Sequence, residues 1–133
     1  MIGLDTDVVV RYFTQDDEQQ SALATAEIES LTDDSPGYIS LVTLVELVWV
    51  MQGAYKASKT EIISILQTLL QTREIRVENA EVALQALALY TSSKAGFADC
   101  LIERCGHNAG CAYTVTIDTD AAASAGMRLL VRN

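Results

Sequence analysis

The chain of 133 residues is 50% hydrophobic and 20% charged, with a single proline. That length supplies one core, and that apolar content excludes a disordered chain. Eighteen acids oppose nine bases for a formal charge of -9, and residues 1–50 hold ten of the acids with one base, Arg11. Broad electrostatic wrapping of nucleic acid is therefore excluded, because it needs clustered Lys and Arg; a local site where metal ions reverse the sign is not. The longest nearly apolar run, Leu41 to Met51, is eleven residues and contains Thr43 and Glu46, too short to cross a bilayer. The opening MIGLDTD lacks a basic n-region and a leader-length apolar stretch, so no secretory signal is expected. Cys100, Cys105 and Cys111, an odd number in a short span, read as reduced thiols of a cytoplasmic protein.

In chain order, Met1 to Leu4 predicts a short buried strand ending at Asp5, and Thr6 to Thr14 a helical turn or two. Glu18 to Leu31 predicts an amphipathic helix with Ala22, Leu23, Ala26 and Leu31 at helical intervals. The turn cluster Asp33-Asp34-Ser35-Pro36-Gly37 leads to a strand at Tyr38-Ile39. Ser40 caps a helix over Leu41 to about Gln52. A helix from Ser58 to Gln71 follows, with Ile62, Ile63, Leu66, Leu69 and Leu70 inward. Glu74 to Val77 alternates as a strand. Asn79 caps a helix to about Ser93, Ala95-Gly96 breaks it, and another runs from Phe97 to Asn108. Cys111 to Ile117 and Leu129 to Val131 predict the last strands. Strands alternating with helices, with no hairpin signal, imply one α/β domain over residues 1–133, a three-layer sandwich with a mainly parallel central sheet flanked by helices.

Four carboxylates stand out. Glu46 is the one charge in LVTLVELVWVM, with Val42, Thr43, Trp49 and Val50 as its helical neighbours. A carboxylate on that stripe is desolvated, paired or metal-bound, unless it reaches water through a narrow polar face. Asp5 and Asp118 each end an apolar strand, MIGL-D and YTVTI-D, where ligands of open parallel sheets bind and where helix caps also sit. Asp99 lies in the first turn after Gly96, a favourable place for an acid on dipole grounds alone; Glu103 follows one turn on, as a partner ligand or a solvated charge. Asp7 and Asp120 stand two residues beyond the strand-end acids. Converging acids repel, and hard divalent cations relieve this by taking oxygen ligands.

The segments IGLDTDVVVRY, SLVTLVELVWV, GFADCLIE and TVTIDTDAAASAGMRLL resemble, in order and spacing, the four acidic motifs of PIN domains, and most closely those of the VapC-type toxins of toxin-antitoxin pairs. The resemblance runs from residue 2 to about 130. It implies that Asp5, Glu46, Asp99 and Asp118 match the acidic metal-site positions. By the same likeness Thr6 and Thr116 are polar neighbours that orient ligands or water; Asp120, read from its position alone, is a supporting polar group, as a secondary ligand, a cap or a surface charge. Position 7, often Asn or Ser in the family, is Asp here. PIN domains are metal-dependent ribonucleases, so the resemblance implies an endoribonuclease toxin that uses Mg²⁺, or Mn²⁺, to activate water. Homodimers inhibited by a cognate antitoxin are typical of such proteins. Arg11, Lys94 and Arg104 are the bases nearest the motifs for an RNA backbone. Trp49 and Met51 are candidates for an antitoxin groove or dimer seam, with core packing the plainer role for Trp49.

Alternatives are a catalytically silent PIN-like binding module and a phosphatase using Asp5 as nucleophile and Asp7 as acid. The phosphatase, like a phospho-acceptor receiver, needs a late Lys, and the last is Lys94. The spacing C-x4-C-x-H-x3-C around His107 matches no common zinc finger, so a structural zinc site and histidine-based chemistry are set aside.

Overall fold

A computed structural model describes residues 1–131, which form two compact units, one of residues 1–80 and one beginning at residue 81. The protein is mixed α/β, and every strand pair among the described residues is parallel.

The first unit follows the order β1 (Ile2–Gly3), α1 (Thr6–Thr14), α2 (Glu18–Glu29), β2 (Gly37–Ile39), α3 (Leu41–Gly53), α4 (Lys59–Gln71), β3 (Ile75–Val77). Its sheet order is β1-β2-β3, with Gly3 opposite Tyr38 and Tyr38 opposite Arg76. The three strands point the same way, so Asp5, Ser40 and Glu78 all follow strand ends at one edge of the sheet. Gly37 leaves room for two core leucines: a Cβ there would meet Leu31 Cδ1 at 2.8 Å and Leu4 Cδ1 at 2.9 Å and force one or both to shift.

Capping explains where the helices of this unit begin. The Asp5 side chain accepts from Thr6 N–H, and that of Asp17 from Gln20 N–H. Ser40 accepts from Thr43 N–H, and Ser58 forms a capping box with Glu61. Leu44, Leu47 and Val48 of α3 are buried, as are Ile62, Leu66 and Leu69 of α4, while Ile63 and Leu70 are only half-buried.

Helix α2 differs from expectation. Ala22, Leu23 and Ala26 are exposed, and Ser21 and Ala24 are buried, with Leu31 just beyond the helix. The residues that α2 buries are its small ones, Ser21 and Ala24, and not Leu23. The cost is that the Ser21 hydroxyl, 2% exposed, has no hydrogen-bond partner.

The second unit contains α5 (Ala80–Ser92, which begins one residue earlier), α6 (Phe97–Asn108), β4 (Val115–Thr116), α7 (Thr119–Ser124) and β5 (Arg128–Leu129). Tyr90 and Phe97 meet edge to face, 5.8 Å between centroids. β4 pairs with β5 in parallel, and α7 makes the crossover. Gly126, at φ 79°, follows α7 in the left-handed conformation suited to the residue just past a helix.

Three expectations are corrected here. Only Val115–Thr116 of the run from Cys111 to Ile117 is strand: β5 pairs no further, and Cys111 N–H instead donates to Gly106 O at 3.0 Å. Asn79 has φ 47°, a left-handed backbone that departs from the extended geometry of a helix cap. The strand expected at Leu129 to Val131 pairs one residue earlier, at Arg128–Leu129. No helix among the described residues is long and apolar enough to cross a membrane.

Two substitutions test the packing. Ser21→Ala removes an unpartnered buried hydroxyl, and thermal or denaturant unfolding is expected to show unchanged or higher stability, by up to about 1 kcal/mol. Met51 is 6% exposed, so Met51→Glu buries a charge instead of marking a free docking surface. It is expected to lower stability by about 3 kcal/mol or more in the same measurement.

Candidate functional site

In the first unit the chain direction alone brings three of the expected residues together. β1 ends and α1 begins within two residues, so Asp5 is at once the strand-end acid and the helix cap. Its Oδ1 accepts from Thr6 N–H at 2.8 Å. The next side chain, buried Thr6, donates its hydroxyl hydrogen to Glu46 Oε1 at 2.7 Å. Forty residues of sequence are thus closed by one charge-assisted hydrogen bond, which sets the Glu46 carboxylate beside the Asp5–Thr6 turn.

Glu46 itself is exposed, which corrects the expectation of a desolvated carboxylate. The hydrophobic run of α3 is apolar on all sides, yet only the side bearing Leu44, Leu47, Val48 and Met51 is packed. Val42 and Trp49, which flank Glu46 by one turn each, are 68% and 61% exposed. Core packing for Trp49 is corrected with it.

The second unit repeats the strand-end pattern. Asp118 follows β4, accepts from Asp120 N–H at 2.8 Å through Oδ1, and donates its own N–H to Thr116 Oγ1 at 3.0 Å. Thr116, Asp118 and Asp120 therefore form one local turn at the start of α7. Asp99 sits half-exposed in the first turn of α6, where Gly96 provides no side-chain cap. In neither unit do three or more His, Cys, Asp or Glu among the described residues gather as a metal-holding group on their own.

The bases expected to meet RNA are differently occupied. Glu103 is only 12% exposed, and two hydrogen bonds from Arg104 hold its carboxyl below the usual range despite that burial. Glu103 is thus neither solvated nor open as a ligand. Arg11 donates to Asp16 at 3.0 Å, Tyr55 Oη at 2.9 Å and Gln20 Oε1 at 2.8 Å. Lys94 is exposed between α5 and α6, and Asp7 is exposed in α1. Two residues that sequence reasoning passed over matter locally. Glu78, just past β3, accepts from Leu41 N–H at 2.9 Å and so caps α3 together with Ser40. Tyr55 donates to Asp16 Oδ2 at 2.6 Å and closes the network around Arg11. Partners 37 and 39 residues distant leave no local signal.

Asp16 is the most perturbed acid. The hydrogen bond from Tyr55, then that from Thr14, then Arg11 hold its carboxyl down from 3.8 to about 2. The stability this contributes is present above about pH 4 and is lost as pH falls through about 2. Asp16→Asn is expected to flatten the pH dependence of the melting temperature between pH 4 and 2 while leaving its shape above pH 5; a variant with the wild-type slope would remove Asp16 from that role.

The family model for the PIN domain matches residues 2–126. The chain is also similar to a VapC ribonuclease from Aquifex aeolicus (strain VF5), 24% identical over 98 residues, which cover 74% of this chain and 73% of the relative.

Proposed function

Because the chain belongs to the PIN domain family, we propose that it is a metal-dependent endoribonuclease and the toxin of a toxin-antitoxin pair. One observation carries the chemistry: the hydrogen bond from Thr6 to Glu46 that gathers a second carboxylate to the strand-end acid Asp5. Likeness to a VapC ribonuclease supports the ribonuclease and toxin assignments. The partners proposed with it are RNA as substrate, a cognate antitoxin and a second copy of the chain, acting in the cytoplasm as one domain of 133 residues.

Asp5, Glu46, Asp99 and Asp118 are the residues proposed to hold Mg²⁺, or Mn²⁺ in its place. The donor chemistry fits: all four offer carboxylate oxygens, the preference of hard cations, and all four reach solvent, Asp5, Glu46 and Asp118 exposed and Asp99 partly so, so a cation there keeps several waters. When bound, such an ion lowers the pKa of water and offsets charge developing on a phosphodiester. The chain's own residues do the rest. Thr6 holds the Glu46 carboxylate through its hydroxyl. The Asp5 and Asp118 caps fix one oxygen of each carboxylate on a backbone N–H, and Thr116 supports the turn of Asp118. Asp120 stays a supporting polar group. Among the bases, Lys94 is kept as a contact for the RNA backbone, since Arg11 and Arg104 are already ion-paired.

The test is incubation of the partner-free protein with total cellular RNA in Mg²⁺, Mn²⁺ or EDTA, beside an Asp5→Asn, Asp99→Asn variant. Cleavage is expected with either metal and none in EDTA. The variant is expected to lose about two orders of magnitude or more, the scale on which one charge-stabilising group acts. Metal binding by calorimetry without cleavage of any RNA would favour a binding module; no metal binding would overturn the assignment of the four acids.

A further inference from the structure

Helix α3 presents an apolar strip to solvent on the side that carries Glu46. Val42 lies four residues before Glu46 and Trp49 three residues after, so the three share a face. Val42 is 68% and Trp49 61% exposed, and Trp49 lies about one turn, ~5 Å of rise along the helix, from Glu46, whose carboxylate Thr6 holds.

Four of the nine bases are already engaged within the protein. Arg11, Arg73 and Arg104 are ion-paired with Asp16, Asp33 and Glu103, and the Arg128 guanidinium lies 3.5 Å from the Tyr113 ring centroid. A chain of charge -9 draws little from counterion release. Stacking of a base on an aromatic face needs no net charge and tolerates any sequence.

A second copy suits the strip less well. A stable interface buries about 800 Å² on each partner, and a Trp side chain offers at most about 250 Å². A two-fold contact centred on it would also bury Glu46 near its symmetry mate, with no cation on α3, LVTLVELVWVMQG, to compensate. A single nucleobase matches the area and leaves the carboxylate in solvent.

We propose that Trp49 is a base-stacking platform for single-stranded RNA, placing one unpaired base beside the Asp5–Glu46 pair; this rests on the nuclease assignment above. Trp49 is the only tryptophan in the chain, so its emission reports the contact directly. Hexa-adenylate is titrated into the whole chain in EDTA, and into the Asp5→Asn, Asp99→Asn variant in Mg²⁺, with an abasic oligomer of equal length as the charge control. Saturable quenching by hexa-adenylate in either condition, and none by the abasic oligomer, is expected. By anisotropy of labelled RNA, Trp49→Ala is expected to bind about tenfold more weakly and Trp49→Phe to recover most of that loss, with circular dichroism unchanged in both. An unquenched indole in both conditions, or equal affinity of Trp49→Ala, overturns the proposal. So does a wild-type dimer that sedimentation shows Trp49→Ala to split, which would give the strip to a second copy. RNA cleavage with an unquenched indole removes the stacking role and leaves the nuclease. Quenching, with weakened binding in Trp49→Ala but no cleavage in any metal, removes the nuclease and leaves the RNA site.

Discussion

A single short hydrogen bond, from the Thr6 hydroxyl to Glu46 Oε1, joins the start of α1 to the middle of α3. Everything proposed for the first unit depends on it. Thr6 is buried and Glu46 exposed, so the bond crosses from the core to the surface with the charged partner on the wet side. A bond to a charged group contributes about 1.5–3 kcal/mol, and here the carboxylate keeps its hydration while gaining a fixed orientation. The parallel order β1-β2-β3 makes the bond possible, because it brings Asp5 and Ser40, and hence the starts of α1 and α3, to the same edge of the sheet.

The strand-end acids show how a structural role and a chemical one occupy the same residue. Asp5 and Asp118 both cap helices, which is reason enough for an acid at each place. A cap also fixes one carboxylate oxygen on a backbone N–H, and so aims the side chain outward from the end of a strand. Local capping is therefore a cheap way to pre-orient a ligand group, although it identifies no ligand by itself.

Two of the bases are taken up by acids close to them in the chain. Arg11, the lone base among residues 1–50, is held by Asp16 and Tyr55 rather than left to the solvent. Glu103 and Arg104 neutralise each other on adjacent positions of α6. What is left facing outward around Glu46 is apolar and acidic. A polyanionic substrate is held at such a surface through cations and stacking more than through a basic patch.

The helices that begin at Thr6, Leu41, Lys59 and Phe97 were readable from residues within one turn of their ends: Asp5, Ser40, Ser58 and the Gly96 break. The alternation of strands and helices was enough for the α/β class, and the order of the four acidic segments was enough for the family. These are local or periodic signals, carried by neighbours in the chain. Which face of α2 packs, that Glu46 and Trp49 look outward, that the segment from Cys111 stays out of the ladder, and that Arg11 and Arg104 are already paired were all decided by tertiary structure. Which face packs, and whether a segment joins a ladder, depend on partners distant in sequence, whereas Arg11 and Arg104 pair with Asp16 and Glu103 close by in the chain, through side-chain geometry that spacing alone does not fix. Periodicity in a helix as uniformly apolar as α3 has no preferred side, and only packing chooses one.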